Sequence, residues 1–136
     1  MIRVVADTNV LISALMFDGL PGTFLDLAFA KAFQLITSPA LLDELDEKLR
    51  LKFSVSASDA EQTRAKLEKV AQSAEPTISL SIIKDDPDDD RVLECAVSGD
   101  AEYIVSGDRH LLKLGSYEAI EIMNVRQFMD VIAGEL

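Results

Sequence analysis

The 136-residue chain has no tryptophan, a single histidine and a single cysteine, and its 13 basic residues are outnumbered by 24 acidic ones. The lone Cys95 permits no intrachain disulfide, so the fold must rest on packing, and a reducing compartment suits it. Zinc sites draw on thiolates and imidazoles, and this chain has almost none to offer. The shortage of positive charge, a formal net charge of −11, argues against a general nucleic-acid coat protein held by phosphate neutralisation. Two uses of an acidic surface remain: a basic partner protein, or acids gathered around metal ions that themselves hold a phosphodiester. No apolar run approaches the roughly 20 residues of a membrane span. The opening stretch Met1 to Ala6 runs into Asp7 rather than a small-residue cleavage site, so cytoplasmic residence without a membrane is expected. Apolar residues make up 49% and charged residues 27%, a balance that supports a packed core in one domain spanning 1–136.

What the chain has in excess is aspartate. Asp85-Asp86-Pro87-Asp88-Asp89-Asp90 places five carboxylates in six residues, directly before an apolar helical pattern starting at Val92-Leu93. Carboxylates this close repel one another, so they are either splayed into water or drawn together around a cation. β-branched and apolar runs predict strands at 2–6, 33–37 and 103–105, and an alternating run predicts one at 119–123. The segment 77–83 reads as an edge strand or an extended connector. Helical spacing covers 8–17, 22–31, the leucine-rich stretch after Ser38-Pro39, 58–74, 89–98, 109–114 and 125–133. Strands alternating with helices imply an α/β fold: a three-layer α/β/α sandwich around a mostly parallel sheet of four to five strands.

In such sheets ligands bind beyond the carboxyl ends of the strands. Asp7 and Asp108 each follow a predicted strand, Glu44 lies early in the leucine-rich helix, and Asp88 to Asp90 open the helix before the third strand. Singly, each has an ordinary explanation: Asp7 and Asp108 as helix caps, the Asp run as a solvated turn, Glu44 on a wet helix face. Their convergence on one rim is what points to a metal site. Carboxylates without soft ligands select hard cations, Mg²⁺ or Mn²⁺. Two such ions about 3.5–4 Å apart suit phosphodiester hydrolysis.

Val4-Val5-Ala6-Asp7-Thr8-Asn9-Val10-Leu11 resembles the opening motif of PIN-domain nucleases. Ser38-Pro39-Ala40-Leu41-Leu42-Asp43-Glu44-Leu45, Asp88-Asp89-Asp90-Arg91-Val92-Leu93-Glu94-Cys95-Ala96 and Ile104-Val105-Ser106-Gly107-Asp108-Arg109-His110-Leu111-Leu112 resemble the later motifs in order. The variety it is most similar to is the small prokaryotic PIN proteins described as toxin components of toxin-antitoxin systems. The resemblance implies catalytic and metal-binding roles for Asp7, Glu44, Asp90 and Asp108, acting on RNA with Mg²⁺ or Mn²⁺. It also implies a homodimer and a cognate antitoxin. Asp90 is preferred for the third acid because Val92, Leu93 and Ala96 then follow as in the family, with Asp88 and Asp89 competing for the place. Asn9 and Ser106 match polar motif positions and are candidates to orient a carboxylate, a water or the phosphate, or simply to cap. His110 stands where many relatives carry another acid, and Glu94 lies one helical turn after Asp90. Lys48, Arg50, Lys52 and Arg109 are the candidate contacts to RNA phosphates, each with ordinary surface charge as the alternative. The competing function is a catalytically idle PIN domain serving as a binding or assembly module. Phosphatase and receiver patterns with an Asp nucleophile are not met, since Asn9 stands where the former need Asp.

Overall fold

A computed structural model describes residues 1–135. Strands β1 (Arg3–Ala6), β2 (Gln34–Thr37), β3 (Gln72–Ser73), β4 (Tyr103–Val105), β5 (Ser116–Tyr117) and β6 (Ile120–Met123) form one sheet in the order β3-β2-β1-β4-β6-β5. All neighbours run parallel except β5 against β6. The helices are α1 (Thr8–Met16), α2 (Leu20–Phe29), α3 (Pro39–Phe53), α4 (Ala57–Val70), α5 (Pro87–Ser98), α6 (Arg109–Leu114) and α7 (Val125–Glu135).

Successive residues of a strand face opposite sides of a sheet, and here both sides are covered. Val4, Ala6, Leu35, Val105 and Met123 enter one core with Val10, Leu25, Leu45 and Phe128. Val5, Ile36, Ile104 and Ile122 enter the other with Leu93, Ala96 and Leu111. That double burial explains why β1, β2 and β4 are dominated by apolar residues, while β6 alternates around the exposed Glu121. The anticipated three-layer α/β/α arrangement is therefore the observed one, with six strands in place of four to five. The two additional strands, β3 and β5, are two residues each and too short to carry a periodic signal.

Segment 77–83 is the extended connector and not an edge strand. Its backbone donors go to side chains of α5 instead of a sheet neighbour. Leu80 N–H donates to Glu94 Oε2 at 2.7 Å, and Ile82 and Ile83 N–H both donate to Asp90 Oδ1 at 2.9 and 3.0 Å.

The first core is centred on three phenylalanines. Phe24, Phe33 and Phe128 are at most 1% exposed, with ring centroids 5.0, 5.6 and 5.1 Å apart in the pairs 24/33, 24/128 and 33/128. Phe24 is thus a core residue, while Met16 and Phe17 are exposed. Phe128→Ala is expected to cost ~3–5 kcal/mol, because it removes buried surface and leaves a cavity. Urea unfolding reads this directly, and an unchanged midpoint would contradict the packing described.

Candidate metal centre

Strand order reverses at β1, whose sequence-adjacent partner β2 lies on one side and the later β4 on the other. Ala6 and Val105 are register partners at the ends of these two strands, and Asp7 N–H donates to Val105 O at 3.1 Å. The residues just past both strands therefore meet above the sheet edge, at the switch point where open α/β sheets bind ligands.

Asp7 caps α1, its Oδ1 accepting from Val10 N–H at 2.9 Å. Its Oδ2 accepts a short hydrogen bond from the Ser106 hydroxyl. Ser106 Oγ in turn accepts from Asp108 N–H at 2.9 Å, so one buried serine ties the acid of β1 to the acid of β4. Asp108 caps α6, its Oδ1 accepting from His110 and Leu111 N–H at 2.8 and 3.2 Å. The capping reading of both acids is thus the observed one, and the same two side chains also line the cleft between the strands.

Of the two neighbouring acids of α5, the one that lines the cleft with Asp108 is Asp89, whereas the resemblance had favoured Asp90. Asp90 is buried, but its carboxylate faces the connector and accepts the Ile82 and Ile83 amides. Asp89, one residue earlier, turns into the cleft. Asp86, Asp89 and Asp108 each present an oxygen such that all three lie within 4.8 Å of one another. The small cleft, about 60 Å³, is lined by Asp7, Asn9, Glu44, Lys48, Asp86, Asp88, Asp89 and Asp108, with Thr8 and Val92. That is room for about two water-sized species at ~30 Å³ each.

Electrostatics follow from this crowding. Burial pushes the Asp7 carboxyl above the usual carboxylate range, against the lowering effect of its Ser106 and Val10 hydrogen bonds. The Asp89 carboxyl is pushed up to about 8, first by burial, then by its hydrogen bond to Asp108 and the negative charges of Asp108, Asp86 and Asp7. Burial acts in the same upward direction on Asp108, but the hydrogen bond from Asp89 and the Leu111 and His110 amides outweigh it and hold Asp108 below the ordinary value. At neutral pH Asp89 and Asp108 thus share a proton. Asp89 Oδ2 is fully buried with no protein donor. A buried acceptor without a donor among several carboxylates fits a hard divalent cation, and the all-oxygen donor set fits the same ions.

The remaining candidates divide. Glu44 reaches the cleft and pairs with Lys48 at 2.9 Å, and Lys48 also donates to Asn9 Oδ1 at 3.3 Å. Asp88 is an exposed residue of the cleft wall. Glu94 faces away, holding Leu80 N–H and pairing with Arg91 at 2.9 Å, so it serves the connector. The His110 side chain turns outward, its Nδ1 lying 3.9 Å from Asp85, so it supplies no ligand to the cleft. Arg50 pairs with Asp46 at 2.8 Å, Lys52 is exposed, and neither lines the cleft. Arg109 lines a larger adjoining cavity. Asp86 is the cleft-lining acid that sequence reasoning does not single out. Its position before Pro87 as the α5 N-cap is the signal that could have found it.

The PIN domain family profile matches residues 3–110. An uncharacterized protein of Methanocaldococcus jannaschii, MJ1680, is 34% identical over 119 residues, covering 83% of this chain and 75% of that protein. The crystal structure of PAE2754 from Pyrobaculum aerophilum superposes with a TM-score of 0.62 at 14% identity, covering 98% of this chain and 90% of that one, a likeness of fold.

Proposed function

Because this chain belongs to the PIN domain family, we propose that it is a divalent-cation-dependent endoribonuclease whose metal is held by Asp7, Asp86, Asp89 and Asp108, with Glu44 completing the acidic wall. The observation that carries this reading is Asp89: a buried carboxylate oxygen without a donor, in a cluster whose oxygens lie within 4.8 Å of one another. An idle binding module has no use for that cost, since burying a polar group without a partner is unfavourable. A magnesium or manganese ion held there would supply phosphate-charge neutralisation and a more acidic water.

The protein's own groups do the rest. Asp89 and Asp108 would hold the cation in place of the proton they share, which would pass to solvent. Ser106 fixes the Asp7 carboxylate and the Asp108 backbone in one hydrogen-bonded unit. Lys48 holds Glu44 and Asn9 at the cleft margin and tempers the net negative charge there. The biological setting we assign is the toxin half of a type II toxin-antitoxin pair, a cytoplasmic homodimer checked by a cognate antitoxin. The resemblance of all four motifs to small prokaryotic toxins supports that setting. No single helix among the described residues is long and apolar enough to cross a membrane.

The test is cleavage of a mixed RNA pool by purified protein with Mn²⁺, Mg²⁺ or EDTA. Wild type is expected to cut with a metal and not with EDTA. Asp7→Asn and Asp108→Asn are expected to lose more than the ~100-fold typical of removing even an outer partner of a metal site. A folded wild type inert with both cations would end the nuclease reading.

A further inference from the structure

The chain carries six arginines, at positions 3, 50, 64, 91, 109 and 126. In a protein with 24 acids four of the six have found an acceptor. Arg3 donates to Gly99 O and Gln72, while Arg50, Arg64 and Arg91 pair with Asp46, Asp43 and Glu94. Arg109 and Arg126 are exposed and make no side-chain hydrogen bond or ion pair among the described residues. These two come from different helices, yet both line one cavity of about 690 Å³.

That cavity adjoins the acid cleft, and Asn9 and Asp108 belong to both. One side is apolar, made by Val10, Pro21 and Val125, and Ser13, Ser106 and Asn124 add hydrogen-bonding groups. Its volume lies within the ~300–1,000 Å³ of small-molecule sites, enough for a nucleotide. Arg126 also stands in the first turn of the 11-residue α7, the end where the helix dipole disfavours a cation and favours an anion. An arginine left unpaired there is best matched by an anion brought in from outside.

We propose that this cavity seats the RNA strand flanking the scissile phosphate. Arg109 and Arg126 bind a backbone phosphate, and the wall of Val10, Pro21 and Val125 supports the adjoining base. The proposal rests on the nuclease reading and adds where the strand lies. It also accounts for how so acidic a protein accepts a polyanion: the two free guanidinium groups stand beside the cleft, and the shared Asn9 and Asp108 lead the chain from one to the other.

Arg109→Gln, Arg126→Gln and the double variant are compared with wild type and with Arg64→Gln, whose arginine pairs with Asp43 away from the cavity. Binding of a short single-stranded RNA is followed by anisotropy with calcium replacing the catalytic cation, and cleavage is followed with Mn²⁺. Each cavity variant is expected to weaken RNA binding roughly tenfold, in line with loss of a charged hydrogen bond. The salt slope should fall by about 0.7 for each phosphate that is no longer neutralised. KM rises while kcat and Mn²⁺ affinity by calorimetry hold, and Arg64→Gln behaves as wild type. A wild type that cuts RNA, beside cavity variants that bind it unchanged and with the same salt slope, overturns the proposal and leaves the nuclease reading standing. A wild type that binds Mn²⁺ but neither cuts nor binds RNA overturns both.

Discussion

Asp89→Asn is expected to abolish metal-dependent cleavage while raising the melting temperature of the metal-free protein by several degrees at pH 8. The two effects share one cause. Asp89 titrates near 8 in the fold against an ordinary 3.8, so between those values the folded state holds a proton that the unfolded state has released. Stability therefore falls as pH climbs from about 4 to about 8, and the whole penalty is present above that window. Asp7, also raised by burial, acts in the same sense. Asparagine keeps the shape and never ionises, so its stability curve should be flatter across this range and converge with wild type near pH 4. Divalent cations reverse the order, because they take the place of the proton; wild-type affinity for Mn²⁺ should rise with pH as Asp89 is freed to ionise. Melting curves in EDTA and in Mn²⁺ from pH 4 to 9 contain the full test. Parallel curves for the two proteins in EDTA would contradict the assignment of Asp89 as the strained member of the cluster.

One residue along the same helix, the opposite result is expected. Asp90→Ala deprives the Ile82 and Ile83 amides of their acceptor, and Ile83 is buried. An orphaned buried donor costs about 1–3 kcal/mol. The variant should unfold at lower urea and lose hydrogen-exchange protection at Ile82 and Ile83, yet still gain stability from Mn²⁺. Loss of the manganese response with stability intact would instead make Asp90 the ligand, as the family resemblance implied.

The contrast between Asp89 and Asp90 marks where the sequence stops being informative. Strands β1, β2 and β4 are legible because they are buried on both faces and β6 because it alternates, and the acids after β1 and β4 are legible because topology alone brings them together. The rotation of α5 is not. Consecutive helical residues point about 100° apart, and the apolar positions that should set the angle (Val92, Leu93, Cys95 and Ala96) are all buried, a stripe too broad to choose between neighbours. What decides is the connector lying along α5, which engages Asp90 and Glu94, four residues apart on one face. Its path is invisible in a pattern of apolar residues, since it is held by backbone donors. Arg126 escapes for a different reason: nothing around it forms a motif, and its interest lies in the absence of a partner, which only coordinates reveal.

The connector's mode of attachment also bears on how this protein can change over generations. Leu80, Ile82 and Ile83 are gripped through their amides, which every amino acid but one supplies. Apart from Leu80 and Ile83, whose side chains pack in the second core, the segment can therefore change in sequence without disturbing the start of α5, so long as the three gripped positions stay closed to proline. The connector's path is thus fixed in large part from α5, at Asp90 and Glu94, rather than by its own side chains.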